Sequence, residues 1–523
     1  MSLTKVTYSM IQGQCVNVLD FGASTTATAT ANTTAIQAAI NSGASSVYFP
    51  EGTYAVNSEI TISGNCYLFG DGIGQTIINA TTIGASKAIF KVTNSKVGFS
   101  SMTLKGPSVA SYVANECAIW FYDSTGPTKE IGFVENVEIY DVGSYGVLVE
   151  YFNKVTVNSC YIHDVGYAAV NVLSSYDAKI TGNTIHTITP GTAGNAYGVA
   201  LSSRAGQLRP TRFIVDSNTI RNIPLWEGID THGGYDGVFS NNVVVGCKIG
   251  IVVTRDDNSF APARVQVIGN TITKGDITFG NTSFGIVVAG TDDDLTPALS
   301  VVVCGNTISG MGVGTNEQGC ISIQTTDSVT VANNVLRNVY GNGIAVRNSN
   351  TNLSIVGNTV TDVDSSMVGN IAGIKFYTGG NTGLVSDNYV DASDTYPLFI
   401  SSASRSLTFG QNTFITSGSA PASGTDISGY QYAGAGLVAF GKTITDLGSI
   451  SAGASTTLNI VASNCRPGDY CEVSSDTNLQ GMILFGNVNS NNTVQVTVFN
   501  ATAGSIDLPS ASFYARVIRN GKS

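Results

Sequence analysis

The phrase ITGNTI at 180–185 recurs along the chain, and this repetition limits the available folds more than any other feature. It returns as VDSNTI (215–220), FSNNVV (239–244), VIGNTI (267–272), VCGNTI (303–308), VANNVL (331–336), IVGNTV (355–360), LVSDNYV (384–390) and FGQNTF (409–414). The shared asparagine falls at 183, 218, 242, 270, 306, 334, 358, 388 and 412, at intervals of 35, 24, 28, 36, 28, 24, 30 and 24 residues. A second motif runs out of phase with it: YGVLVE (145–150), YAAVNV (167–172), YGVALS (197–202), EGIDTH (227–232), IGIVVT (249–254), FGIVVA (284–289), NGIAVR (342–347) and AGIKFY (372–377).

Each unit thus holds two or more short β segments separated by turns. One such coil cannot bury its own apolar face, but stacked coils share a continuous core. The uneven intervals predict a constant coil with one turn that accepts insertions. An asparagine at a fixed turn position is expected to sit in a left-handed-like conformation and to hydrogen-bond from coil to coil. No leucine lattice or 3.6-residue period supports a helical repeat, and propeller blades would be longer. The predicted fold is all-β, a parallel β-helix.

Composition agrees. Charged residues make up 12% of the 523, and there are 59 glycines, which disfavours a helical protein. The net charge of −11 argues against binding to a nucleic-acid backbone. No apolar run reaches membrane-span length, so no membrane insertion is expected. The opening MSLTKVTYSMIQGQ lacks a secretory apolar core, which implies synthesis in a cytoplasm. The nine cysteines are far apart and read as buried free thiols. Only Cys465 and Cys471, in CRPGDYC, lie close enough to form a pair.

The two ends differ from the repeat. NTTAIQAAINSGA (32–44) reads as a short amphipathic helix covering the open edge of the first coil. After residue 415 the ladder stops, and alternating strands such as TTLNIVAS and NTVQVTVF follow. The expected organisation is an attachment segment (1–18), a cap with the first coils (19–84), the β-helix (85–420), a linker (421–439) and a C-terminal β domain (440–523) for trimerisation or carbohydrate binding.

VNVLDFGASTTATATANTTAIQAAINSG followed by VYFPEGTY resembles the opening of pectate-lyase-like β-helix proteins. Asp20, Phe21 and Gly22 match a DFGA motif, and Tyr48, Phe49, Pro50, Gly52 and Tyr54 match a v-f-P-x-G-x-Y motif. The segment KVTYSMIQGQCVNVLDFGA is similar in particular to bacteriophage tailspikes. The resemblance covers about residues 15–415. It implies a glycoside hydrolase, polysaccharide lyase or esterase acting on bacterial surface glycans. It also implies a homotrimer, a place in the virion tail after synthesis in the host cytoplasm, and attachment to a baseplate or adaptor protein through the N-terminus. A secreted or prophage-derived enzyme is the alternative.

Strand alternation locates the candidate site. In WEGIDTHGG (226–234), Ile229 and Thr231 take the core-facing phase, and Asp230 and His232 are expected to point to solvent. The Asp230 column holds Leu148, Asn171, Ala200, Val252, Val287, Ala345 and Lys375. The His232 column holds Glu150, Leu173, Ser202, Thr254, Ala289, Arg347 and Tyr377. An acid–acid–histidine set therefore stands on an otherwise apolar or small-residue face. Trp120 and Tyr122 take the same two columns. With Tyr145, Tyr167, Tyr197 and Trp226 they are candidates to stack on sugar rings, and Asn171 and Glu150 are candidates to bind hydroxyls. Arg204, Arg209 and Arg212 in the insertion SSRAGQLRPTR, and Arg255 from the next coil, suit an anionic glycan.

Glycoside hydrolysis needs one carboxylic acid and one carboxylate. Glu227 and Asp230 are three residues apart, about 10 Å along an extended strand, or less where Gly228 bends the entry. That separation falls nearer the inverting range of about 6.5–9.5 Å. Glu227 is the expected acid, raised by desolvation beside Trp226. Asp230 would orient or activate water, and His232 would bind substrate or tune Asp230. Used differently, His232 could abstract a C5 proton from a uronic acid, with arginine neutralising the carboxylate. No cofactor is expected. No metal is assigned either, because TRDD (254–257) and TDDDLT (291–296) lack a full calcium-loop spacing. His163 and His186 read as turn or packing residues. The leading reading is a right-handed, single-stranded parallel β-helix, a tailspike-like depolymerase that hydrolyses a capsule, O-antigen or exopolysaccharide. The alternatives are a lyase on an acidic glycan and a non-catalytic receptor-binding adhesin.

Overall fold

The computed structural model describes residues 15–108, 113–189, 194–203, 208–256, 260–276, 282–290, 296–313, 319–363, 371–377, 379–392, 395–400, 406–410, 412–415, 431–432, 437–462 and 465–518. The attachment segment up to residue 14, the linker except Gln431–Tyr432 and residues 437–439, and the acidic run 291–295 lie outside this set.

Forty strands join in one continuous β structure, and nearly all its pairings are parallel. Each coil contributes three short strands. A typical coil runs through Lys179–Thr181, Thr184–Ile188 and Tyr197–Ser202. Each of these pairs in register with its counterpart in the next coil, at Ile214–Asp216 and within Thr219–His232. The inward columns are mostly apolar, and one is wholly aliphatic. Val147, Val170, Val199, Ile229, Ile251, Ile286, Ile321, Ile344 and Ile374 stack in one file with no exposure. Each such residue contributes roughly 1.5–3 kcal/mol of burial, and β-branched side chains pack well on a pleated surface.

The repeated asparagine lies at the corner between two of these strands. In each coil its side-chain amide donates to the side-chain oxygen of the next: Asn183 to Asn218 at 2.9 Å, Asn218 to Asn242 at 3.0 Å, and on through Asn388 to Asn412 at 2.9 Å. The same oxygen accepts the backbone N–H of the preceding ladder asparagine. The amide's second proton goes to a backbone carbonyl, such as Phe239 O from Asn270. The asparagines are therefore buried without an unmet polar group. The left-handed conformation expected of them belongs instead to the residue before each one: Gly182, Ser217, Asn241, Gly269, Gly305, Asn333, Gly357 and Asp387 all have φ between 54° and 69°. That residue makes the turn, which leaves the asparagine free to face inward and stack.

The helix Ala29–Asn41 is capped by Thr28, whose hydroxyl accepts from Ala31 N. Ile36, Ala39 and Ile40 pack into the main core. Gln37 bonds both the N–H and the C=O of Thr61, each at 2.9 Å. It thereby satisfies backbone groups that an open first coil would leave bare. At the other end, three small antiparallel sheets between Leu437 and Ile518 enclose a second core around Ile460, Val496, Phe513 and Val517. All nine cysteines are free thiols, Cys465 and Cys471 included. No helix among the described residues is long and apolar enough to cross a membrane.

Replacing Asn270 with alanine would orphan the Asn242 backbone N–H and amide and the Phe239 carbonyl. At about 1–3 kcal/mol per buried unpaired group, the expected loss is roughly 3 kcal/mol or more. Denaturant unfolding should show it, with amide hydrogen exchange rising first in the coils on either side of residue 270.

Candidate active site

Glu227, Asp230 and His232 meet because of a break in strand alternation. In register with Glu227 stand Tyr197 and Ile249, and in register with Asp230 stand Ala200 and Val252. Between them, Gly228 and Ile229 both face the core. A Cβ on Gly228 would come within 2.7 Å of Val244 Cγ1 and 2.8 Å of Gly250 O. Neighbouring coils place Ala118, Gly146, Ala169, Gly198, Gly250, Gly285, Cys320, Gly343 and Gly373 at the same position, where only a small residue fits. Two inward residues in succession bring Glu227 and Asp230 to the same outer face. One carboxylate oxygen from each and one His232 nitrogen lie within 4.8 Å of one another, which corrects the extended-strand separation of about 10 Å. The pair is too close for an inverting enzyme's water to stand between them.

A further correction concerns exposure. Asp230 does not point to open solvent: it is 2% exposed, Glu227 is 4% exposed, and both form the floor of a 560 Å³ cleft. His232 stands at the cleft with 31% of its side chain exposed, its Nε2 3.3 Å from Asp230 Oδ1. Glu227 Oε2 and Asp230 Oδ1 are buried with no hydrogen bond among the described residues, Asp230 Oδ1 having only the His232 Nε2 contact at 3.3 Å. Ahead of the pair the strand bulges between Ile223 and Glu227. The bulge lifts Trp226 onto the cleft wall, where Lys248 Nζ lies 4.9 Å from its ring centre.

Burial pushes the Glu227 carboxyl well up and the neighbouring Asp230 charge pushes it further, while His232 and Lys248 oppose this. Burial also raises Asp230, and the hydrogen bond with Glu227 works the other way. Two desolvated carboxyl groups in contact cannot both ionise cheaply, so the pair holds a shared proton. Burial, then the Asp230 charge, raises the Tyr197 phenol above its ordinary value and keeps it neutral, and Tyr197 accepts a hydrogen bond from Asn195 at 3.1 Å.

The other expected site residues separate. Tyr197, Asn171, Tyr167 and Trp226 line the cleft. Trp120 and Tyr122 occupy the two predicted columns, but Trp120 is four coils from Asp230, about 19 Å at 4.8 Å per coil. With Tyr145 they belong to an apolar cluster on the outer face, and Lys91 lies over both of their rings. Glu150 is three coils before His232, buried and away from the cleft lining. Arg209 lines a different cavity, Arg255 is half-buried outside the cleft lining, and Arg204 lies outside the described residues. His163 and His186 stack with Tyr140 on another sheet. Sequence reasoning missed Asn195, Ser203 and Asp256 as cleft residues. Asp256 is buried, hydrogen-bonded to Ser203 and to Phe260 N. All three lie just outside the repeated strands, where the column argument has no reach.

Glu227, Asp230 and His232 are also the group of three metal-ligating side chains found among the described residues. A divalent cation there would have to displace the shared proton.

Comparison with known proteins agrees with this architecture. Family models match as "Rhamnogalacturonase A/epimerase, pectate lyase-like" over residues 15–115, "Right handed beta helix region" over 117–302, and "Periplasmic copper-binding protein (NosD)" over 263–434. The chain folds as a right-handed parallel β-helix, with its pectate-lyase-like match confined to residues 15–115. The last of the three matches extends the β-helix without supporting copper chemistry. Residues 263–434 contain no histidine, and none of the metal-ligating trio lies there.

A tailspike double mutant of E. coli bacteriophage HK620, solved with a pentasaccharide, superposes with a TM-score of 0.58 at 12% identity, covering 97% of this chain and 93% of that one. A GH87 α-1,3-glucanase from Streptomyces thermodiastaticus gives 0.49 at 16% identity over 80% and 69%. Mannuronan C5-epimerase AlgE3 of Azotobacter vinelandii is 29% identical over 170 residues, 29% of this chain, and the match spans only 9% of that relative's length.

Two outcomes follow. Because the carboxyl pair is raised, the folded chain keeps a proton that the unfolded chain releases. Stability therefore falls as pH rises above the ordinary carboxylate range. Glu227→Gln should flatten that fall, as read by denaturant midpoints across a pH series starting at the ordinary carboxylate range and rising. Gly228→Ala, whose Cβ would meet Val244 Cγ1 and Gly250 O, should displace Glu227 from Asp230 and reduce the same pH dependence of the denaturant midpoint. It should also destabilise the fold by about 1–3 kcal/mol through overpacking.

Proposed function

We propose that the protein is a tailspike-like depolymerase that hydrolyses glycosidic bonds within a bacterial surface polysaccharide. The observation that carries this is the buried, proton-sharing Glu227–Asp230 pair on the floor of a cleft walled by Trp226, Tyr167 and Tyr197. Glu227, kept protonated by burial, gives its proton to the leaving glycosidic oxygen. Asp230, as a carboxylate, bonds the anomeric carbon as the glycosidic C–O bond breaks; water then cleaves that glycosyl bond, with Glu227 now taking the water's proton, which releases the sugar and restores both acids. The short separation favours a retaining course, for which about 5–5.5 Å is usual, over an inverting one. His232, 3.3 Å from Asp230, holds that carboxylate in place. The near-complete mutual coverage with a tailspike bound to an oligosaccharide supports the same role, with extracellular action from a virion tail and a homotrimeric assembly.

A second reading rests on His232 itself. It is the exposed member of the trio, and a neutral Glu227–Asp230 pair could donate a hydrogen bond to a uronic-acid carboxylate while His232 removes the adjacent C5 proton. The partial match to a mannuronan C5-epimerase is consistent with such chemistry.

Timed digestion of purified capsule or O-antigen separates the readings. Hydrolysis predicts new reducing ends with retained anomeric configuration by proton NMR and no absorbance near 235 nm. Glu227→Gln and Asp230→Asn should each lower turnover by about 10²–10⁴-fold, and activity should survive a chelator. A rise at 235 nm, or deuterium uptake at C5 without chain shortening, would transfer the chemistry to His232. Tight binding with no chemical change would make the protein an adhesin.

A further inference from the structure

A second cavity, of 490 Å³, lies around the corner from the cleft. Tyr235, three residues beyond His232, begins the next strand and pairs in register with Ala263, which in turn pairs with Leu299. Tyr235 is held between two guanidinium groups: Arg209 Cζ is 4.0 Å and Arg264 Cζ 3.9 Å from its ring centre. Phe260, 36% exposed, and Leu299, 42% exposed, complete the wall together with Pro297. Asp256 lines the cleft and Phe260 lines this cavity. The two residues are joined by hydrogen bonds of 2.8 and 3.1 Å.

Among the described residues, the arginines here outnumber the carboxylates that pair with them. Arg264 is paired in a two-point contact with Asp236, at 2.5 and 3.0 Å. Arg212 is paired in the same way with Asp177, at 2.7 and 3.1 Å. Arg209 donates only to the Ala261 carbonyl, at 3.2 Å, and packs on Tyr235 and Phe260. Three arginines face two aspartates, which leaves one cation without a carboxylate among the described residues of a chain with a net charge of −11. A planar guanidinium held flat on an aromatic ring keeps its edge N–H groups free and oriented, the arrangement that binds a carboxylate at two points. The exposed apolar wall beside it matches the hydrophobic face of a pyranose ring.

The geometry points to this cavity as a second carbohydrate subsite that takes a carboxylate-bearing sugar, with Arg209 pairing the carboxylate and Phe260, Pro297 and Leu299 receiving the ring. For its natural occupant it rests on the polysaccharide reading above, and it makes the substrate an acidic glycan that reaches from the cleft around the corner.

Ligand-observed NMR with sodium glucuronate, against glucose as the neutral control, tests the subsite on the full chain. Glucuronate should bind, more weakly at high salt, and glucose should not. Arg209→Gln should weaken glucuronate binding on the order of tenfold. Leu299→Glu, at an exposed strand position that folding tolerates, should do the same by repulsion. The double variant E227Q/D230N should bind as the parent does. The subsite is overturned by absence of glucuronate binding, by unchanged affinity in both cavity variants, or by binding lost in E227Q/D230N but kept in Arg209→Gln. Glucuronate binding that needs Arg209 in a chain without turnover would remove the depolymerase reading and leave the subsite standing. Turnover with Arg209-independent binding would do the reverse.

Discussion

The structure depends on parallel stacking held in register at the corners. A parallel coil alone buries little, and a one-residue slip between coils would turn every aliphatic file outward. The asparagine ladder from Asn183 to Asn412 prevents that slip. Each side chain binds two donors of the coil before it and donates onward to the coil after it. Because each of those groups is buried, a misaligned coil would leave several unpaired donors at once. The ladder therefore acts less as a source of net stability than as a penalty on every other register.

The same demand for close stacking builds the cleft. At the column of Gly146, Gly198, Gly228 and Gly250 the core has no room for a side chain beyond Cβ or a small substitute. The strand consequently spends two successive residues facing inward, and the positions on either side come out on the same face. In most coils those two positions carry apolar or small side chains, as with Ile249 and Val252 or Phe284 and Val287. In one coil they carry Glu227 and Asp230. The packing rule that positions aliphatic side chains elsewhere thus presses two carboxyl groups together on an apolar wall. Their raised proton affinity follows from that desolvation rather than from any specialised loop.

Such a pair opposes folding. Burying two acids with unpaired oxygens costs free energy that apolar residues at the same positions would not. The long aliphatic core on the inner side of the same strand offsets it: Ile229 and Thr231 are fully buried, and Thr231 also donates to Leu201 O. The polar site sits on a strand anchored from beneath, so the carboxyl groups have little freedom to separate and relax.

The repeat phrases by themselves determined the solenoid, the inward and outward columns and the coil that bears the acids, because a stacked coil reads out side-chain alternation with a period of two and spaces its turns regularly. The helical cap and the all-β end were equally legible, since amphipathic period and strand alternation are local signals. Only the tertiary structure decided that Glu227 and Asp230 come together on one face, with side-chain oxygens within 4.8 Å, because the cause lies in neighbouring coils that leave no room above Gly228. It also decided that Asp230 is a floor rather than a rim, that the residue before each ladder asparagine makes the turn, and that Arg209 leaves the cleft for a cavity of its own. Those outcomes depend on which side chains from other coils occupy the adjoining space, and sequence spacing along a single strand carries no record of that.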